Sequence, residues 1–368
     1  MFPLKEKPLI RKVHIMRRII SLAGIFFLII NYSNAQQTAI AFGDPYVLKD
    51  DGMYYMYGTG GVNNGFAAYS SSDLKTWDFK GQVYFNTNKN AWGISSFWAP
   101  EVYKRNGKYY MFYSAQWKHN PTNELENFKI GVAVADKPTG PFIDIKDSPI
   151  FDPGYPIIDA NVLFENGKIY LYYSRCCYKH PVESEIADLA KKNGWYNEIE
   201  ESWVYGIEMK PDFSGVIGEP VLLLRPPVKI NEDEWESRSV TARETNRRWT
   251  EGSCIFKSND TYYMMYSGNN FEGQHYAVGY ATAKNPLGPF KKAVNNPVLQ
   301  RAGNVTGTGH NSITYSPDGK DMLCVYHGRT TATGQQRLVF IDKMEIQADG
   351  KLVVQRPTTS ALVKKRIK

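Results

Sequence analysis

The sequence predicts an all-β fold, a five-bladed β-propeller in which each blade is a four-stranded antiparallel sheet. Two observations carry this: one strand–turn–strand phrase recurs five times, and almost no long helical pattern comes between the copies. They read GDPYVLKDDGMYYMY from Gly43, WAPEVYKRNGKYYMFY from Trp98 and IDANVLFENGKIYLYY from Ile158. TEGSCIFKSNDTYYMMY from Thr250 and GHNSITYSPDGKDMLCVY from Gly309 complete the set. Aligned on Val47, Val102, Val162, Cys254 and Ile313, the copies lie 55, 60, 92 and 59 residues apart.

Each phrase opens with a strand of β-branched or alternating apolar residues. A polar turn built from Gly, Asn or Asp follows, and then a second strand heavy in Tyr. More strand-like sequence completes every unit, and units two and four share the further phrases AVADKPTGPF from Ala133 and ATAKNPLGPF from Ala281. The long interval marks an insertion in unit three, where residues 183–192 form the one good candidate helix. In a propeller, the start of strand one and the loop after strand two open on the same face. Residues 58–66, 115–128, 176–202, 268–275 and 328–336 are therefore expected to rim the mouth of the channel, and function usually sits on such loops. The insertion is expected to shape substrate choice there.

Three places before the aligned residue the five units carry Asp44, Ala99, Asp159, Glu251 and His310. Radial repetition would bring the three acids together around one axis. Like charges at short range raise at least one pKa. A carboxyl kept protonated beside one kept ionised is the acid–base pair that glycoside hydrolysis uses. Glu101, two residues beyond Ala99, is the competing acid. Strand alternation puts it on the same side, where it is expected to pair with polar neighbours beneath the site.

Formal net charge is +7, but residues 1–35 account for +5 of it and four more basic residues crowd positions 364–368. No body-wide basic field remains, so nucleic acid and acidic membrane are poor partners. Residues 1–35 read as a signal peptide, with Arg17-Arg18, an apolar run over 19–30 and a small-residue cleavage site at Ser33-Asn34-Ala35. Twelve apolar residues fall short of the roughly 20 that a spanning helix needs. The expectation is an exported, periplasmic or extracellular protein with its propeller over 36–368, whose start is Met1 or Met16. Cys176, Cys177, Cys254 and Cys324 are too few for a disulfide scaffold and lack zinc spacing.

GDPYV, FWAPEV, IDANVLF, TEG and TGHNS occur here in the order found in glycoside hydrolase family 43, the five-bladed arabinosidases and xylosidases, which the chain resembles over nearly all its exported part. The resemblance implies an inverting mechanism: Asp44 as general base, Glu251 as general acid, and Asp159 raising the acid's pKa and orienting the sugar. An inverting pair stands roughly 6.5–9.5 Å apart. Ser253 departs from the family's usual Pro and puts the local turn in question. His310 would sit near the axis, where some members hold calcium, but one histidine without an acidic loop is a weak calcium ligand. No cofactor is required. Arg329 is a candidate for binding sugar hydroxyls, and Trp98 and Phe42 for stacking on a sugar ring, with Trp117 and Phe271 as weaker subsite candidates.

The leading reading is an α-L-arabinofuranosyl-releasing enzyme acting as a monomer on plant-type polysaccharide or oligosaccharide. β-Xylosidase, endo-arabinanase and a non-catalytic sugar-binding propeller are the alternatives. A protein-interaction propeller of the WD type needs a recurring Trp-Asp pair, and only Trp77-Asp78 is present. A retaining fructan-type enzyme needs an Arg-Asp-Pro motif, which is absent.

Overall fold

The second strand of each copy is apolar on both faces, and packing in the computed structural model explains why. The structure describes residues 39–364 apart from 87–90, 122, 124–125, 178–182, 230–233, 356 and 358–362. The expected signal peptide and its cleavage site lie outside the described residues. Among those described, no helix is long and apolar enough to cross a membrane.

The strands run as successive antiparallel meanders. The first contains β1 (Gly43–Asp50), β2 (Met53–Thr59), β3 (Gly65–Ser71) and β4 (Thr76–Phe85). β5 (Gly93–Arg105), β6 (Lys108–Trp117), β7 (Phe128–Ala135) and β8 (Ile143–Asp144) form the second. The third has β9 (Ile157–Glu165), β10 (Lys168–Cys177), β11 (Glu200–Met209) and β12 (Val216–Leu224). β13 (Arg247–Ser258), β14 (Thr261–Gly268), β15 (Ala277–Ala283) and β16 (Lys291–Lys292) make the fourth. β17 (Val305–Tyr315), β18 (Met322–Thr330), β19 (Leu338–Ile346) and β20 (Leu352–Val354) follow. A short parallel pairing of residues 200–202 with 247–249 joins the third and fourth meanders into one sheet.

The turns after β1, β5 and β9 are tight because both central residues have positive φ. Asp51-Gly52, Asn106-Gly107 and Asn166-Gly167 are the residue types that tolerate it. Strand alternation then sends successive side chains of each second strand toward different neighbours. On β14, Tyr262, Met264 and Tyr266 pack against Tyr170, Tyr172 and Leu223 of the third meander. Tyr263 and Met265 on the opposite face pack against Cys324, Tyr326 and Phe340 of the last. Similar clusters lie between the first and second meanders and between the second and third. Another joins Leu323, Val325 and Val339 to Ile40, Phe42, Tyr54 and Met56 of the first. Each such buried Phe, Met or Leu contributes about 1.5–3 kcal/mol. First strands also touch in series, β1 to β5, β5 to β9, β9 to β13, β13 to β17, and β17 back to β1.

The insertion differs from expectation. Its extra length is divided between two connections rather than gathered after β10. One carries helix α1 (Glu185–Lys192), capped by Ser184, whose hydroxyl accepts the Ala187 N–H. The other, between β12 and β13, carries a 3-10 turn (Trp235–Ser237) and helix α2 (Arg238–Thr241). The buried face of α1 (Ile186, Ala187 and Ala190) packs with Ile199 and with Val240 of α2.

Candidate active site

Every first strand carries a bulge at the same place, and the bulges build the site. Asp44, Ala99, Asp159 and His310 all have φ between 46° and 60°. For residues other than glycine this costs about 1–2 kcal/mol each. The cost is offset by a hydrogen bond from each of these N–H groups to another unit. Ala99 N–H donates to Thr59 Oγ1 (2.8 Å), Asp159 to Ser114 Oγ (3.0 Å), His310 to Ser267 Oγ (2.7 Å) and Asp44 to His327 Nδ1 (3.1 Å).

In the fourth unit the positive φ falls on Gly252, not on Glu251. Gly252 N–H donates to Asp159 Oδ2 (3.2 Å), which also accepts from Ser174 Oγ (3.3 Å). Gly252, not Glu251, is therefore the structural counterpart of Asp44 and Asp159. Pairing register agrees: Glu251 lies opposite Ser267 as Trp98 lies opposite Ser114 and Ile158 opposite Ser174. The sequence alignment placed Glu251 one residue out. The constant fifteen-residue step from 44 to 59, 99 to 114, 159 to 174 and 252 to 267 carries the correct register.

Glu251 nevertheless shares a cavity with the other two acids because neighbouring strand positions both reach the mouth at a bulge. The cavity, of about 250 Å³, is lined by Asp44, Asp159, Glu251, His310, Trp98 and Ile158, with Arg247, Trp249 and Arg337 among its walls. In the first and fifth units the counterparts of Trp98, Ile158 and Glu251 are Gly43 and Gly309. A Cβ on Gly43 would lie 2.0 Å from the Arg337 guanidinium, and one on Gly309 2.0 Å from the Tyr276 ring. Those glycines admit the side chains of Arg337 and Tyr276, which stand just before β19 and β15.

The three carboxyl groups are each more than nine-tenths buried, yet their electrostatics diverge. Burial alone would raise Asp44. The Arg337 guanidinium (2.8 Å), His310 (3.2 Å), His327 (3.5 Å) and the Thr59 hydroxyl (2.6 Å) reverse this and hold it well below the usual carboxylate range. Burial pushes Glu251 up to about 7, with Asp44's charge adding to the rise. Hydrogen bonds from Tyr276 and Trp249, 2.7 Å each, and the charge of Arg337 oppose it. Burial raises Asp159 well above its ordinary value, and the charges of Glu251 and Asp44 raise it further.

Other expected residues divide sharply. Trp98 lines the cavity, backed by Phe128 with ring centres 4.3 Å apart. Phe271 lines it too, beneath the Arg337 guanidinium. Phe42 does not: it is buried between the first and last meanders against Tyr69, leaving no face for a sugar. Arg329 is also corrected. Its guanidinium is spent on the carbonyls of Phe271 (2.6 Å) and Gly273 (3.0 Å) and on Gln335 (3.0 Å), so it ties down a rim loop. Trp117 packs against His119 and Lys129 away from the cavity. Glu101 lies outside the cavity as well. It accepts from Tyr103 and from Asn161 (3.0 Å), and burial lifts it to about 8. His310 spends its Nδ1 on Asp44, and no group of three or more His, Cys, Asp or Glu among the described residues could hold a metal ion.

No described residue of the 176–202 loop lines the cavity, contrary to expectation. The insertion acts at one remove. Ser239 of α2 donates its N–H to Asn269 Oδ1 (2.9 Å), and its hydroxyl accepts from Asn270 N–H (3.2 Å). These bonds brace the rim loop that brings Asn270, Phe271 and Glu272 to the cavity wall.

Residues 39–352, a span that holds all the bulges and every lining residue, match the family model of glycosyl hydrolases family 43. The chain belongs to that family. The crystal structure of a thermostable family-43 glycoside hydrolase superposes with a TM-score of 0.75 at 36% identity, covering 92% of this chain and 100% of that one. A xylosidase/arabinosidase of Bacteroides ovatus is 28% identical, over 84% of this chain and 93% of its own length. A β-D-galactofuranosidase of Aspergillus niger is 26% identical, over 85% of this chain and 82% of its own.

Proposed function

We propose that this protein is an exported, inverting glycoside hydrolase that releases terminal pentose units, α-L-arabinofuranosyl first, from plant-type oligosaccharides and polysaccharides. The observation that carries this reading is the opposed protonation of Asp44 and Glu251 on one small cavity. Asp44, held ionised, acts as the general base. It takes a proton from a water whose oxygen attacks the anomeric carbon. Glu251, held protonated up to about neutral pH, gives its proton to the leaving oxygen as the glycosidic bond breaks. Asp159, raised by burial and by the charges of Glu251 and Asp44, stays protonated and can donate to a sugar hydroxyl while its backbone-bound oxygen remains fixed.

We read the meanders as blades of a closed five-bladed propeller. The serial contact of first strands and the bulge hydrogen bonds that return from Asp44 to His327 support closure. A cavity of about 250 Å³ lies under the roughly 300 Å³ at which drug-sized ligand pockets begin, and favours one terminal sugar over a polymer groove. Trp98 offers the ring face against which that sugar would stack. The xylosidase/arabinosidase relative fits pentose release, whereas the galactofuranosidase relative makes a hexofuranose the competing substrate.

Hydrolysis of a panel tests this. Aryl α-L-arabinofuranoside, β-D-xyloside and β-D-galactofuranoside would be compared, together with oligosaccharides of arabinan, arabinoxylan, xylan and galactan. The expected result is free arabinose as first product and the highest kcat/KM on the arabinofuranoside. Release of oligomers without free monosaccharide, or no cleavage of any pentoside, would overturn it.

A further inference from the structure

Both oxygens of Glu251 are held by groups that donate. Trp249 Nε1–H reaches Oε2 at 2.7 Å, and an indole nitrogen has no acceptor to offer in return. Tyr276 O–H reaches Oε1 at 2.7 Å. A phenol can point either way, but an ionised carboxylate oxygen only accepts, so Tyr276 donates this bond once the Glu251 proton has gone. Tyr276 is fully buried and stacked on His327, with ring centres 5.6 Å apart at 14°. Since His327 Nδ1 accepts the Asp44 N–H, the same stack fixes the backbone of the opposite acid.

We propose that Tyr276 and Trp249 are positioning residues that orient the Glu251 carboxyl from both of its oxygens and stabilise the carboxylate left when its proton departs; this rests on Glu251 being the general acid. The carboxyl proton passes to the glycosidic oxygen, the O–H electron pair stays on the carboxylate, and the C–O pair leaves with the departing oxygen. Tyr276 and Trp249 then stabilise the new anion with two charge-assisted hydrogen bonds. They make a deeply buried carboxyl a stronger acid than burial alone would allow.

The test is the pH profile and leaving-group dependence of Tyr276→Phe, with Trp249→Phe as the second variant should the first fail to fold. Without the phenol's hydrogen bond the basic limb of kcat/KM should move up by about one to two pH units, the worth of one hydrogen bond to a charged group. Turnover should fall more on an alkyl or sugar leaving group than on 4-nitrophenyl, which needs little protonation. A basic limb that stays in place, with equal losses on every leaving group, would leave Tyr276 a purely structural role and overturn the proposal. Glu251→Gln in the same assays separates the two readings. If its loss does not depend on the leaving group, Glu251 is not the acid and the proposed function fails. If it does depend, while the Tyr276 and Trp249 variants leave the limb unmoved, only the present inference fails.

Discussion

Asp44→Asn is expected to lower kcat by about 10²–10⁴-fold on every leaving group, the usual loss when a general base is removed. The fold should survive. Asn tolerates the positive φ of this position at least as well as Asp. Its carbonyl can keep the Arg337 hydrogen bond, and its amide can donate to Thr59 Oγ1 once that hydroxyl rotates. A second effect follows from charge. Asp44 raises both Asp159 and Glu251, so removing its negative charge makes both easier to ionise. The basic limb of the residual activity should therefore move to lower pH. Stopped assays across pH, with circular dichroism to check folding, measure both effects. Full activity in this variant would remove Asp44 from the mechanism.

Glu251→Gln should cost about 10²–10⁴-fold on substrates with poor leaving groups and far less on activated aryl glycosides. Glu251 is protonated below about 7, so the parent enzyme should lose activity as pH rises through that value. The Gln variant should show no such limb. Its oxygen can accept from Trp249, and its amide can face the Tyr276 oxygen, so stability should change little. A variant that keeps the basic limb near 7 would move the general-acid role to another group.

Much of this was legible because the repeat is physical. Strands pressed between neighbours on both sides must be apolar throughout, so MYYMY, IYLYY and TYYMMY announce themselves in the sequence. The convergence of Asp44, Asp159 and Glu251 on one cavity followed from position in that repeat. Register at the fourth bulge did not, because Gly252 takes the left-handed conformation one residue late. Depth was also hidden. Alternation reports which side of a strand a residue occupies, not whether a neighbouring strand covers it, and Phe42 and Arg329 were misplaced for that reason. A Cβ on Gly307 would lie 2.2 Å from the Arg329 guanidinium, so the glycine that seats this arginine away from the cavity was itself visible. Arg337 carries no signal in the repeat because it stands just past the expected rim loop, on the threshold of β19, in the space that Gly43 leaves. The two-part insertion was unreadable from its length alone; it reaches the cavity wall through hydrogen bonds that Ser239 and the Trp235 carbonyl share with Asn269 and Asn270.

Proton NMR of the first-formed sugar tests single displacement by Asp44 and Glu251 most directly. Recorded within the first turnovers on an α-L-arabinofuranoside, before mutarotation, it should show the β anomer of free arabinose. An α anomer appearing first would mean a covalent glycosyl intermediate and would contradict the account.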